Sequence, residues 1–479
     1  MGLKKTATSG LLWTFLDTAI VRGIGVFAAI LLARLLSPVE FGLMGMIYVF
    51  TSIAATLVDS GLTSSLIRSK EANASDYTTV FYTNIVFSFF LYFVLFAAAP
   101  VIADFYDQNV LTDIIRIYGL LFVITSFSAV QQTILIKKME FKRLMLLNIP
   151  GIIIGACTGI FMAYADYGVW SIIIMHLITQ TIFALILWAF SSWKPNMHFS
   201  ILKLKKHFNF GYKITLISFL NSIVENIYYV IFGKFFAVST LGEFERAKTL
   251  TNYPVRILTS TISKVTYPLL SSIQENNEKL KEGYKKIMIL TFFVSLPLML
   301  ILSAVSDELI IIFLGDKWID MSFFFKILCF ASTLYPIHAF NMNLLKVYGK
   351  TNLLLKLEFI KKIINICLVF IALPFGIVFI AWSIVVYSVI SLFINTYYTD
   401  KLIEYSLFQQ FKDNSLTIII SFLIYWLIRL FLYNNTDTNY IQLLIISVLG
   451  GGFLYLLLNF IFNNYAIILI KEIIKLKKT

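Results

Sequence analysis

The stretch EFERAKTLTNYPVRILTSTISKVTYPLLSS, Glu243 to Ser272, decides the fold. It holds Glu243, Glu245, Arg246, Lys248, Asn252, Arg256 and Lys264, too many polar groups for an ordinary apolar membrane span. The flanking charges nevertheless require it to cross. Positive residues in short loops of membrane proteins stay in the cytoplasm. One set of loops collects Lys4 and Lys5, then Arg68 and Lys70, then Lys137, Lys138, Lys142 and Arg143, then Lys194, Lys203, Lys205 and Lys206. Beyond Ser272 the same side collects Lys279, Lys281, Lys285 and Lys286, then Lys346 and Lys350, then Lys401 and Lys412, and last Lys471, Lys475, Lys477 and Lys478. The opposite loops are nearly free of Lys and Arg and carry Asp104, Asp107, Asp113, Asp166, Asp307, Glu308, Asp316, Asp320 and Asp437. If 243–272 did not cross, lysines 279–286 would move to the acidic side and every later loop would invert. The stretch is therefore expected to be a polar helix that cannot face lipid and lines protein or a water-filled cavity.

The rest of the chain is typical of a membrane protein. Of 479 residues, 59% are hydrophobic and 14% charged, and the mean hydropathy is +0.84. Soluble domains sit near ~45–50% apolar and ~25% charged. A spanning helix needs roughly 20 apolar residues, and runs of that kind are expected near 11–35, 41–65, 77–101, 112–135, 146–165, 168–190 and 208–236. With 243–271 and six more near 284–304, 320–346, 352–373, 377–398, 414–433 and 440–462, the total is about fourteen. An even number puts both termini in the cytoplasm. The expected fold is thus an all-α polytopic membrane protein.

The net charge of +13 is explained by topology, since nucleic-acid binding needs basic residues gathered on one folded face. Cys157, Cys329 and Cys367 lie in apolar runs without metal-ligand spacing and read as packing residues. Lys4 and Lys5 precede an apolar run reaching about Leu36, too long for a signal-peptide core, so an uncleaved first helix is expected.

An internal repeat organises the helices. Ala33-Arg34-Leu35-Leu36-Ser37 leading to Phe41-Gly42 aligns with Gly233-Lys234-Phe235-Phe236-Ala237 leading to Leu241-Gly242, at an offset of 200. Lys138, Lys142 and Gly168 pair with Lys346, Lys350 and Gly376 at an offset of 208. Six helices separate the copies, which implies two pseudo-symmetric parallel six-helix lobes around a central cavity. The expected division is an N-terminal lobe over 1–192, a cytoplasmic linker over 193–207, a C-terminal lobe over 208–400, and helices 13 and 14 with a cytoplasmic tail over 401–479.

Charge inside hydrocarbon is costly, on the order of 2.5–3.5 kcal/mol per residue on insertion scales, and this chain has several such charges. Asp17 and Arg22 lie inside the first helix, Arg34 at its outer end, and Glu225 in the middle of the seventh between Asn221 and Asn226. On the eighth, at about 100° per residue, Arg246, Thr249, Tyr253, Ser260, Lys264 and Tyr267 share one side, with Arg256 close by. Arg246 to Lys264 spans roughly 27 Å of rise, a ladder of positive charge suited to an anionic cargo. The bland alternative pairs these charges across helices, Arg22 or Arg256 with Glu225. Buried pairs stabilise weakly, so together the charges favour a hydrated cavity.

Other features read more simply. Gly151, Gly155 and Gly159 allow close helix approach. His176 and His338 are proton carriers or, more simply, hydrogen-bonded packing groups. Pro297 and Pro336 are candidate bending points. Asp59-Ser60-Gly61 caps or breaks the second helix or supplies a cavity carboxylate. No nucleotide-binding Gly-x-x-x-x-Gly-Lys-Ser/Thr loop is present, which argues against ATP hydrolysis.

Several segments resemble a known family. Leu32-Ala33-Arg34-Leu35-Leu36-Ser37-Pro38 with Glu40-Phe41-Gly42, then Asp59-Ser60-Gly61-Leu62 with Arg68, are similar to the opening helices of Wzx-type polysaccharide flippases of the multidrug/oligosaccharidyl-lipid/polysaccharide exporter superfamily. So are Lys137-Lys138-Met139-Glu140-Phe141-Lys142, Gly168-Val169-Trp170, Arg246-Ala247, Pro254, Pro268-Leu269-Leu270-Ser271 and Gly315-Asp316-Lys317-Trp318. The resemblance implies a non-enzymatic flippase that moves an oligosaccharide on a polyprenyl diphosphate from the cytoplasmic to the periplasmic leaflet of the bacterial inner membrane by alternating access. Carried over by position, Arg22, Arg34, Arg246, Arg256 and Lys264 would line the cavity, with Tyr253 and Tyr267 against sugar faces. Asp17, Asp59 and Glu225 are the candidate proton or sodium sites; no other cofactor is expected. The family's acidic residue five positions before the glycine ending helix 7 is replaced here by Tyr228. Implied partners are the lipid-linked substrate, membrane lipid, and polymerase and chain-length or export proteins, with no nucleic acid. The rival readings are a drug exporter of the same superfamily, expected to use acidic rather than basic residues, and a membrane-embedded polymerase or glycosyltransferase, which needs a large extramembrane loop.

Overall fold

The computed structural model describes residues 23–59, 61–69, 71–435 and 438–476. Among them there is no strand. The helices are α1 (Gly23–Leu35, as far as described), α2 (Pro38–Asp59), α3 (Leu62–Arg68), α4 (Ala74–Tyr106), α5 (Val110–Tyr118), α6 (Leu120–Lys137), α7 (Phe141–Tyr164), α8 (Trp170–Phe190), α9 (Ile201–Phe235) and α10 (Val238–Ser272). There follow α11 (Asn277–Ala304), α12 (Ser306–Leu314), α13 (Met321–Ser332), α14 (Tyr335–Val347), α15 (Thr351–Ala372), α16 (Ile377–Ile403), α17 (Leu407–Asn434), α18 (Tyr440–Ile445), α19 (Gly451–Ile461) and α20 (Tyr465–Leu476). Ten stretches among the described residues are long and apolar enough to cross a membrane, so the chain is a multi-pass membrane protein. The other four expected crossings coincide with α1, α9, α10 and α15. The last three are full-length helices made polar by their charges.

Several expected helices are divided, for local reasons. The second breaks at Gly61, whose φ of 62° favours glycine. A side chain there would also meet the backbone of Gly211 on α9 at 2.5 Å. The tenth breaks between Ser332 and Tyr335, with Pro336 in the first turn of α14, where its missing N–H costs least. Pro297 instead sits inside an unbroken α11. The segment expected as a cytoplasmic tail after helix 14 contains a further helix, α20. Asn464 starts α20 by accepting from the Ala466 N–H at 2.9 Å, and Ala466 and Leu469 bury one apolar face.

By packing, the chain divides into two compact units, Met1–Gly242 and Glu243–Thr479. In the first, α9 lies on α2, α3 and α4. The Gly151/Gly155/Gly159 seam of α7 lies on α8, where a Cβ at Gly155 would meet Thr179 Oγ1 at 1.9 Å. The start of α2 meets the start of α10 in a reciprocal contact. A Cβ on Gly42 would fall 1.9 Å from the Val238 carbonyl oxygen, and one on Gly242 would fall 1.8 Å from that of Pro38. Both pairs obey the offset of 200, and such mutual exchange of partners is how a two-fold-related pair of segments meets.

In the second unit, Leu280, Tyr284, Met288, Phe292, Leu296 and Leu300 of α11 form the centre of a core with Phe340 and Leu344 of α14. The opposite edge of α11 packs on α17 and α19 through Ile289, Phe293, Ile420, Ile424 and Tyr455. Helix α17 is also clamped at both ends. On the lysine-rich side Asp413 accepts from Lys285 Nζ and Tyr405 Oη, each at 2.9 Å. On the acidic side Asp307 joins Lys326 at 2.7 Å and Arg429 at 3.2 Å. Burial opposes the Asp307 charge, but bonds from Lys326, Ser322 and Arg429 outweigh it and hold this carboxyl below its ordinary value.

The Gly42 contact leaves no room for a methyl group. Gly42→Val should destabilise the protein by about 1–3 kcal/mol through overpacking, read as a lower melting temperature in detergent. Gly452→Ala, where a Cβ meets nothing within 4 Å, should stabilise by up to ~1 kcal/mol. Equal melting temperatures for the two variants would contradict the close approach.

Candidate functional site

The polar character of α10 resolves into two faces. Phe244, Ala247, Thr251 and Val255 recur at three- and four-residue spacing and are buried, with Phe244 edge-on to Phe324 of α13 at 5.8 Å between centroids. At about 100° per residue, Arg246, Thr249, Tyr253 and Arg256 lie roughly opposite that packing face. The division follows from the sequence, because apolar and small residues are set three and four apart while the cations occupy the intervening positions.

The environments along the polar face differ. Arg246 is 12% exposed and lies 3.6 Å from the Glu245 carboxylate, whose other oxygen accepts from Thr249 Oγ1 at 2.9 Å. Glu245 therefore offsets part of the Arg246 charge. Tyr253 is half-buried and Arg256 exposed, with no carboxylate in ion-pair range of Arg256 among the described residues. Lys264 continues the same helix, but its side chain lies outside what is described. The position best suited to receive an anion is thus Arg256, ten residues and about 15 Å along from Arg246.

The remaining expected site residues are less informative. Arg34 ends α1 exposed, and Glu225 is exposed on α9; both engage neighbouring groups. Beside Glu225, Asn226 Nδ2 donates to Ser52 Oγ of α2 at 2.8 Å, and Ser52 and Ser222 hydroxyls lie 2.9 Å apart. Asp17 and Arg22 lie outside the described residues, as does the Asp59 side chain. No group of His, Cys, Asp and Glu among the described residues is arranged to hold a metal ion.

One polar cluster in the first unit escaped the sequence reading. Asp76, in the first turn of α4, accepts from Lys203 Nζ at 2.9 Å and meets His207 Nε2 at 3.1 Å. The His207 ring is 1% exposed, and its Nδ1 lies 2.8 Å from Ser65 Oγ of α3. Asn73 closes a capping box with Asp76 and accepts from Lys203 at 2.5 Å. The local signal was Asn73-x-x-Asp76 before an apolar run; the long-range one, a lone histidine among lysines, had no periodicity to reveal it. The cluster fastens the lysine-rich end of α9 to α3 and α4. Asp76→Ala would leave a buried imidazole and an ammonium without their carboxylate, at a cost of about 3 kcal/mol. Thermal unfolding should show the loss; an unchanged melting temperature would show that the cluster does not hold α9.

Comparison with known proteins agrees with this architecture. The family model described as "Polysaccharide biosynthesis protein" matches residues 31–323. The chain is 23% identical over 339 residues to the lipopolysaccharide biosynthesis protein WzxC of Escherichia coli K12, covering 70% of this chain and 69% of that one. It is 25% identical over 356 residues to the teichuronic acid biosynthesis protein TuaB of Bacillus subtilis 168, covering 73% of each. Among solved structures, the lipid II flippase MurJ in an inward closed conformation superposes with a TM-score of 0.74 at 17% identity, over 94% of this chain and 98% of that one. An inward-facing multidrug transporter of the MATE family gives 0.63 at 14% identity, over 83% and 99%. The expected resemblance to Wzx-type proteins is thus upheld, and the chain belongs to the polysaccharide biosynthesis protein family, whose model runs from the end of α1 to the start of α13.

Proposed function

We propose that this protein is a flippase that carries polyprenyl-diphosphate-linked oligosaccharide from the cytoplasmic to the outer leaflet of the bacterial plasma membrane for surface polysaccharide assembly. The observation that carries the reading is the cationic face of α10, turned away from the helix's own packing face. A diphosphate and its sugars cannot cross hydrocarbon unsolvated. Arginine on a wetted wall supplies charge-assisted bonds to phosphate, while Tyr253 offers a ring to sugar faces. The polyprenyl tail stays in lipid.

In this proposal the fourteen helices form two six-helix lobes with α17 to α19 added, and both termini are cytoplasmic. The reciprocal Gly42/Gly242 contact supports a two-fold relation between the copies, with rocking of the lobes opening each side in turn. Arg22, Arg34 and Lys264 join Arg246 and Arg256 along the path, and polymerase and chain-length proteins receive the product. A proton or sodium gradient supplies the energy. A drug exporter of the same superfamily would carry cations, which the α10 face would repel.

In proteoliposomes, transfer of a fluorescent undecaprenyl-diphosphate oligosaccharide between leaflets should fall at least tenfold in Arg256→Gln, with the melting temperature unchanged because the side chain is exposed. Undiminished transfer would remove Arg256 from the path, and no transfer by the unsubstituted protein would reject the substrate.

A further inference from the structure

The second unit contains a polar cluster that the proposed substrate path does not use. It surrounds His338, four residues past the break between α13 and α14, where the helix of that membrane crossing is interrupted. The residue is half-buried, and both ring nitrogens are engaged by α16. Nε2 lies 3.2 Å from Ser388 Oγ, and Asn395 Nδ2 approaches Nδ1 at 3.4 Å.

Partner chemistry fixes the ring's protonation. The Ser388 hydroxyl donates its one hydrogen to the Ala331 carbonyl at 2.8 Å, so toward His338 it can only accept, and Nε2 carries the hydrogen. Nδ1 then accepts from the Asn395 amide. This is the neutral imidazole, with one donor and one acceptor nitrogen.

The arrangement leaves two atoms unsatisfied, and both are the kind an imidazolium would use. Asn395 is 2% exposed, and its Oδ1 has no hydrogen-bond partner. Ser391, one turn earlier on the same face of α16, is buried with its Oγ also unpartnered. Buried polar groups without partners are rare and costly. If Nδ1 takes up a proton, Asn395 turns its amide over. Oδ1 then accepts from Nδ1–H, and Nδ2 turns toward Ser391 Oγ. Both orphaned atoms thereby gain partners.

The charged surroundings are few. Lys361 of α15, 5% exposed, is bonded to Glu358 Oε1 at 2.5 Å, and its ammonium exerts its field on the imidazole. On α11 the titratable neighbour is Tyr284, which donates to Asn341. On α13 they are Cys329, turned to Thr251, and Lys326, paired with Asp307. The α16 residues against the ring, Ser388 and Asn395, are uncharged. A fixed cation beside the site disfavours any second positive charge, a divalent metal ion more than a single proton, so proton uptake depends on the acceptors that the ring and Asn395 present.

We propose that His338, Asn395 and Ser391 form a proton-binding switch at the α13/α14 break. The step is uptake of one proton from water by the Nδ1 lone pair, with reversal of the Asn395 amide and no other bond made or broken. It retunes the tie between α14 and α16 at the point where the crossing is interrupted. As the coupling site for transport it rests on the flippase reading; as a proton site it stands alone.

The test is ¹⁵N-histidine NMR on the full-length protein in nanodiscs, with the His338 signal assigned by its loss in His338→Gln. The expected spectrum is the Nε2–H tautomer at pH 7.5, converting to imidazolium on acidification. Asn395→Asp should raise the midpoint, and Asn395→Leu lower it, by a pH unit or more, a tenfold change in proton affinity. A ring that stays neutral down to the pH at which the protein unfolds, or a midpoint indifferent to both substitutions, overturns the switch. In proteoliposomes, His338→Gln should keep downhill transfer of the fluorescent lipid but lose its acceleration by a pH gradient; retained acceleration overturns the coupling role. Titration of His338 without any lipid transfer by the unsubstituted protein rejects the flippase reading and leaves the proton site standing.

Discussion

In the proposed path the charged face of α10 is the wet one. A 35-residue helix rises about 52 Å, well over the ~30 Å of hydrocarbon, and its cations recur over about half of that length. Facing lipid, each would cost on the order of 2.5–3.5 kcal/mol. Phe244, Ala247, Thr251 and Val255 give the helix a protein to lean on, which leaves the opposite side for water. In this proposal the alternation of loop charges, the number of crossings and the anion path all depend on that one helix staying in the membrane while hydrated along one flank.

A scaffold around a wet flank has to be held by contacts that water does not weaken. Backbone approaches at Gly42, Gly155, Gly61 and Gly242 give van der Waals contact without side-chain entropy, and they bring helices together where lipid supplies no hydrophobic drive. The polar fastenings sit near the ends of the crossings: Asp76 with His207 and Lys203, Asp413 with Lys285 and Tyr405, Asp307 with Lys326 and Arg429. The last two make α17 an integral part of the second unit. Midway along the helices the polar ties are uncharged, as between Ser52, Ser222 and Asn226, or they surround His338 at a break. Rigid ends and a hydrogen-bonded, exchangeable middle suit a protein whose helices must shift without separating.

Much of this was legible in the sequence because it was written in one dimension. Apolar run length gave the helices, the Lys/Arg alternation led to the expectation that α10 crosses, and three- and four-residue spacing separated its two faces. The Gly151/Gly155/Gly159 spacing named a seam that does pack on α8. What the sequence did not reveal depends on partners far along the chain. His207 meets Asp76 across 131 residues, and Asn395 meets His338 across 57; neither separation has a period. The helix at Tyr465–Leu476 was missed because an apolar run ending at Phe462 hides a second, amphipathic one behind Asn463 and Asn464. Arg246 looked like the first rung of an open ladder, and only the placement of Glu245 showed that its charge is partly offset.

The claim on which the account turns is that Val238–Ser272 traverses the bilayer. With the three native cysteines replaced, single cysteines at Ala237 and Lys279, both exposed, can be labelled with a membrane-impermeant maleimide from one side of the membrane at a time. The account predicts labelling of Ala237→Cys only from outside and of Lys279→Cys only from the cytoplasm. Labelling of both from the same side would mean that α10 does not cross, and the anion path along it could not exist.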